Sequence, residues 1–359
     1  MLPIFSVYAV RYPGASAALA GVAFGVYALV QSVLQIPLGW ASDRWGRKPV
    51  LLIGLALFAA GSIGCALATD IYGLILARAL QGTGAIGSVA FAALADLTRP
   101  NVRAQAYTIT GIAIGASFMI GLLGGPFLAA HFGLDGLFYL LAALGGLSML
   151  FAALWFPAAS AGTRNEASPA LKPILLHDHL RPIFVATFVL SFALNLFFFT
   201  YPLNWSSIGL AKDDLWKVYS IVFLPSILFV YPYVRRSEKL GQFRKPILLG
   251  WLTATVGYGI YLFGAQYELL LCVSGATFLF GYSLYQPLLP AFLTREVPPN
   301  ARGVASGVFS SFGFIGSSLG GMLGGALMHL SPSLPELAGV VLLVLWFWLG
   351  LPIPPESNS

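Results

Sequence analysis

Twelve stretches of this sequence run almost free of formal charge, most of them for the width of a lipid bilayer: roughly 1–11, 16–39, 50–69, 71–94, 104–131, 135–157, 183–205, 216–234, 246–265, 267–292, 303–330 and 336–353. Lipid offers the backbone no hydrogen-bond partners, so a spanning segment must be a helix or a strand of a closed barrel. A helix crosses the ~30 Å hydrocarbon core in about 20 residues. A barrel strand needs about 10, with alternating polarity. The lengths select helices. Charged residues make up 9% of the chain, against about 25% in soluble domains. Such a surface must meet lipid, and the fold class expected is an all-α membrane protein.

The net charge of +6 does not point to nucleic acid, because of where the charges fall. Fifteen of the nineteen Lys and Arg residues lie in the segments 40–49, 96–104, 158–182, 233–246 and 294–303. The alternate connections hold Arg11, Lys212 and Lys217, and Arg78 lies inside a span. Every second loop is basic, which places those loops in the cytoplasm of a multi-pass membrane protein. Cys65 and Cys272 fall within apolar spans and form no disulfide framework. Met1–Val10 lacks the basic start and small-residue cleavage site of a signal peptide.

The long polar segment 158–182 divides the chain, and the two sides repeat one another. Arg47-Lys48-Pro49 returns as Arg244-Lys245-Pro246, Ser42-Asp43-Arg44 as Ser237-Glu238-Lys239, and Leu97-Thr98-Arg99 as Leu293-Thr294-Arg295. Pro100-Asn101 returns as Pro299-Asn300, and Gly121 and Gly125 as Gly320 and Gly324. All these offsets lie between 195 and 199. The expected organisation is a six-helix bundle over 1–157, a cytoplasmic linker over 158–182, a second six-helix bundle over 183–353 and a tail over 354–359. Two parallel six-helix repeats are the plan of a large class of transporters. The same offset puts the start of the first of the twelve helices about a dozen residues before Met1, so that helix is expected to be truncated.

Several residues stand out on chemical grounds alone. Gly39 and Gly46 allow close approach and a sharp turn beside Asp43 and Arg47, and Asp96 is a natural partner for Arg47. Arg78 is buried at a cost of at least ~2.5 kcal/mol on insertion scales, which marks it as functional unless its long stem snorkels outward. All thirteen Asp and Glu residues fall in loops or at helix ends, leaving no mid-span acid as a proton carrier. Tyr27, Gln31 and Gln35 share one face of a helix. Asn195 lies among Phe192, Phe197, Phe198, Phe199 and Tyr201, and Tyr282 shares a face with Gln286. An aromatic cavity with few polar groups would suit an amphipathic or lipophilic solute.

The loop Gly39-Trp40-Ala41-Ser42-Asp43-Arg44-Trp45-Gly46-Arg47-Lys48 resembles the signature loop of the major facilitator superfamily, Gly-x-x-x-Asp-Arg-x-Gly-Arg-Lys. Arg78-Ala79-Leu80-Gln81-Gly82-Thr83-Gly84-Ala85 is similar to the fourth-helix motif of that superfamily. Gly121-Leu122-Leu123-Gly124-Gly125-Pro126 resembles the motif of its proton-driven antiporters, with Ala129 and Ala130 where two glycines usually follow. The stretch from Val22 to Pro157 looks closest to the YajR-like group of drug:proton antiporters. Members of that group carry a further soluble C-terminal domain, which is not expected here because Ser359 closely follows the last span. The resemblance implies a major facilitator fold and a cytoplasmic latch of Gly39, Asp43, Arg44, Gly46, Arg47, Lys48 and Asp96 that favours an outward-open state. It also implies a coupling or substrate role for Arg78 and Gln81, and close packing with a bend at Gly121, Gly125 and Pro126.

The expected function is secondary transport: proton-coupled efflux of small amphipathic or lipophilic solutes by alternating access, performed by a monomer with no cofactor and no metal. A metabolite uptake carrier is the alternative within transport, and a non-transporting sensor or inactive relative the alternative outside it. An enzyme would need metal ligands, a Cys–His pair or paired acids inside the spans, and the sequence has none there.

Overall fold

The computed structural model describes residues 4–84, 86–99, 102–157, 174–175, 177–239, 244–297 and 302–351. Most of the expected linker and the whole expected tail lie outside these residues. The principal helices are α1 (Phe5–Ala9), α2 (Ala17–Trp45), α3 (Arg47–Leu67), α4 (Ile71–Gly82), α5 (Gly87–Leu97), α6 (Arg103–Trp155), α7 (Arg181–Ser207), α8 (Leu215–Lys239), α9 (Arg244–Gly264), α10 (Glu268–Glu296), α11 (Arg302–Leu330) and α12 (Leu334–Leu349). A short 3-10 turn, Lys212–Asp214, precedes α8, and no strand occurs among the described residues. Nine segments there are long and apolar enough to cross a membrane. Large apolar side chains cover the outside, among them Leu76, Phe263 and Trp348, each more than 70% exposed. An apolar coat of this extent belongs against lipid.

One expected boundary changes. The span 71–94 is not one helix but two, α4 and α5. The helix lets go where Thr83 N–H bonds back to Leu80 O and Gly84 N–H to Gln81 O. At that point Gly82 and Gly84 are wedged between neighbours. A Cβ on Gly82 would stand 2.5 Å from Tyr27 O of α2, and one on Gly84 2.7 Å from Gly54 O of α3. The spans 104–131 and 135–157 remain two helices, grouped here as α6 and separated at Gly133, whose non-helical backbone (φ 69°, ψ −176°) suits glycine.

The largest helix pairings place α11 between α2 and α7. Glycines allow both approaches. On one face, a Cβ on Gly316 or Gly320 would collide with the backbone carbonyl of Phe188 or Phe192 in α7. On the other, Gly321 and Gly325 lie against α2. Small residues permit such backbone-to-backbone packing in membranes, where burial away from water gives helices no drive to associate. The α7 helix is the most enclosed span. Phe197 stacks on Tyr201 with ring centres 4.3 Å apart and also meets Tyr258, Tyr261 and Phe278.

Candidate functional site: an inner ion group, a buried arginine and an outer seam

At the inner end, α2 stops at Trp45 and α3 starts at Arg47, with Gly46 between them at φ 90°. This turn folds Arg47 back beneath α2. Arg47 Nη1 lies 2.6 Å from Asp43 Oδ1 and donates to Ser42 Oγ at 2.6 Å, while Nε reaches Asp96 Oδ2 of α5 at 2.9 Å. The Arg47 side chain is 8% exposed, whereas the two carboxylates are 44% and 38% exposed. Lys48 Nζ donates to Phe156 O at 2.8 Å, just past the end of α6, a contact the sequence does not signal. A cation bonded there satisfies a terminal carbonyl and complements the helix dipole. Arg44 is exposed, and Gly39 faces Ser88.

Arg47→Met should therefore destabilise the protein by about 1–3 kcal/mol, the range for losing charged hydrogen bonds at a buried group. Asp43→Asn should cost less, because its carboxylate is half in solvent. Thermal denaturation of the two variants in detergent checks the order; equal midpoints would contradict it.

Arg78 does not snorkel. It is 8% exposed and is held between α4 and α2. Nη1 donates to Gln81 Oε1, Nε to Ala23 O at 3.3 Å and Nη2 to Phe24 O at 3.4 Å. The guanidinium carbon lies 4.6 Å from the ring centre of Tyr27 and 5.3 Å from that of Phe5. Gln81 continues the chain by donating to Ser62 Oγ of α3 at 2.8 Å. The charge is thus dispersed over carbonyls, an amide and two aromatic faces, an environment that suits arginine far better than lysine.

The expected cavity residues divide. Tyr27 faces Arg78 and accepts from Gln31 Nε2 at 3.3 Å, and Gln31 Oε1 is buried without a partner. Gln35 is engaged elsewhere: its Oε1 accepts from Ser88 N–H at 2.9 Å in the first turn of α5, where Ile86 provides no cap. Asn195 bonds Ser317 Oγ of α11 at 3.0 Å. Phe197 and Phe198 point into the packing of the C-terminal helices, and only Phe199 of that run reaches α2 through its contact with Phe24. Tyr282 is half-buried and Gln286 exposed. In the antiporter-type motif, Gly125 and Pro126 are buried, while a Cβ on Gly121 would meet open space.

A seam of contacts at the outer end goes beyond the residues expected from sequence. A Cβ on Gly21 would stand 2.8 Å from both Gly321 O and Gly325 Cα, and one on Gly25 2.5 Å from Ser318 O. Phe24 meets Phe199 edge-on at 5.8 Å. Phe127 of α6 meets Trp216 of α8 in the same way at 5.8 Å, and Lys212 Nζ sits 4.6 Å from the ring centre of Tyr8. The recurrence of Gly at a spacing of four, in Gly21/Gly25 and Gly321/Gly325, is the available signal. Arg78 bonds the carbonyl of Phe24 itself, so the buried charge and the seam share one residue of backbone.

The family model of the Major Facilitator Superfamily matches residues 1–212 and 183–359. The inner membrane transport protein YajR of Escherichia coli (strain K12) is 34% identical over 367 residues, covering 100% of this chain and 81% of that protein. The multidrug resistance protein MdtH of Yersinia enterocolitica serotype O:8 / biotype 1B is 27% identical, over 98% of this chain and 86% of its own length. Among solved structures, the nucleoside transporter NupG superposes with a TM-score of 0.70 at 15% identity, covering 97% of this chain and 94% of that one. The helical fold, the lipid-facing surface and these likenesses agree: the chain belongs to the Major Facilitator Superfamily.

Proposed function

We propose that this protein is a proton-coupled exporter of small amphipathic or lipophilic solutes, working by alternating access in a bacterial inner membrane with its basic loops in the cytoplasm. The moving bodies are residues 1–157 and 183–353. The observation that carries this reading is the division of labour between the two ends of α2. Its outer end packs across to α11 through bare glycine backbone, whereas at its inner end Arg47 pairs with Asp43 and Asp96, all within the N-terminal helices. Contacts made in only one of two states set the balance between those states. Arg78 and Gln81 lie beneath the outer seam, where a change in their bonding would be felt by Phe24. The similarity to a multidrug resistance protein supports efflux, and the similarity to YajR supports the inner membrane.

Energised cells producing the protein should extrude ethidium faster than control cells, and a proton uncoupler should abolish the difference. Extrusion that persists after the gradient is collapsed would remove proton coupling. Net accumulation instead of loss would favour the uptake carrier.

A further inference from the structure

Glu336 lies in the first turn of α12, and in sequence it looks like an acid placed to complement a helix dipole. Its side chain is nevertheless only 2% exposed. Oε1 accepts from Asn204 Nδ2 of α7 at 2.9 Å, and Oε2 is buried with no hydrogen-bond partner. The nearest remaining donors are the Glu336 backbone N–H and the Tyr261 hydroxyl, and neither reaches Oε2 in hydrogen-bond geometry. Asn204 Nδ2 also donates to the Tyr261 hydroxyl at 2.9 Å. Tyr261 of α9 gives its single proton to Thr200 Oγ1 at 2.9 Å, and Thr200 passes its own to Leu196 O at 3.2 Å. Tyr258 of α9, beside Gly339 of α12, spends its proton on Ala193 O.

The titratable groups facing this carboxyl are thus Tyr258 and Tyr261 from α9, with Tyr201 of α7 in ring contact with Tyr261. On α11, the third helix packed against α12, His329 is exposed in the last turn. None of the described hydrogen bonds or ion pairs to Glu336 comes from a cation. An ionised carboxylate here would be buried with Oε2 outside hydrogen-bond geometry and with no cation beside it. Burying such a charge costs more than a helix N-terminus returns. An acid O–H left without an acceptor is the smaller penalty.

We propose that Glu336 is a proton-binding site that exchanges with the outer side of the membrane. One proton from water adds to the free Oε2 and converts the carboxylate to a neutral acid. It leaves by the same route when the site opens. The fold provides a means of opening. Pro202 lies inside α7 and has no N–H to bond the carbonyl of Phe198, so the helix ladder lacks one bond just before the turn that carries Asn204. The same helix contacts α1 at the outer side. Swinging that turn away would expose Oε2 without breaking the bundle below. The site deepens the exporter reading by naming where a proton binds, but its test needs no transport.

Infrared spectra of the full-length protein in lipid vesicles should show, at neutral pH, the C=O stretch of a protonated carboxylic acid that Glu336→Gln removes. Asn204→Ala should shift that band by removing the hydrogen bond to Oε1, which preserves the test should Glu336→Gln fail to fold. Transfer to D2O should move the band, and Pro202→Ala should slow that exchange. Spectra of wild type and Glu336→Gln that match in this region, or a band indifferent to Asn204→Ala, would overturn the assignment. A band that never exchanges in D2O would make Glu336 a sealed structural acid and would overturn its role as a proton site. Failure of ethidium extrusion with an exchanging band would leave the site standing and count against the exporter.

Discussion

A leucine in place of Gly25 is expected to yield folded protein that no longer closes its outer side. The first added carbon stands 2.5 Å from Ser318 O and 2.8 Å from Met322 Cγ, and the carbonyl belongs to backbone that cannot step aside alone. Overpacking of this kind costs about 1–3 kcal/mol. The helices can escape the clash by separating, so the cost falls on the closed state and leaves the separated one unpenalised. At 1.4 kcal/mol per tenfold, the closed-to-open ratio should drop by about 5–140-fold. The change is read by placing cysteine at Ala17, at the outer start of α2, with Cys65 and Cys272 replaced, and labelling whole cells with a membrane-impermeant maleimide. Labelling should rise in Gly25→Leu and ethidium extrusion should fall to background. Unchanged labelling with normal extrusion would mean that the seam does not form during the cycle.

The second large effect is expected at Arg78. Arg78→Met should abolish extrusion while leaving thermal stability little changed. Transport is lost because the guanidinium ties Gln81 to the carbonyls of Ala23 and Phe24, and nothing in methionine replaces those bonds. Stability should change little, because relief from desolvating a buried charge offsets the acceptor left unpaired on Gln81, a penalty of about 1–3 kcal/mol. Arg78→Lys should also fail in transport, since one ammonium cannot span an amide and two carbonyls while lying against two rings. Midpoints of denaturation in detergent, measured beside ethidium extrusion, separate the two effects. A variant that lost both together would show Arg78 to be structural.

The helical architecture is legible in the sequence because lipid imposes a strong code: apolar length, alternating basic loops and a repeat offset all act on many residues at once. The Arg47–Asp43–Asp96 group is legible because opposite charges at the ends of adjoining spans have few other partners. The break between α4 and α5 is not, since Gly82 and Gly84 read as packing residues, and only the backbones of α2 and α3 pressed against them show why the helix stops. Gln35 looks like a cavity residue from its helix face, but the uncapped start of α5 claims its amide. The run Phe197–Phe199 gives no sign of which rings turn inward, because direction along a helix depends on neighbours distant in sequence. Glu336 escapes notice for a related reason. An acid in a first turn is ordinarily solvated, and its enclosure follows from Asn204 and Tyr261, far away along the chain.

The outer seam is built of hydrogen-bond-poor, uncharged backbone and rings, with Lys212 over Tyr8 at its edge, while the inner ion group pairs a buried Arg47 with two half-solvated carboxylates. Ionic strength weakens exposed charge pairs and leaves shape complementarity untouched. The two ends should therefore answer differently to ionic strength. Salt outside the cell should leave the outer seam tight, whereas the inner ion group should weaken as the ionic strength of the cytoplasm rises.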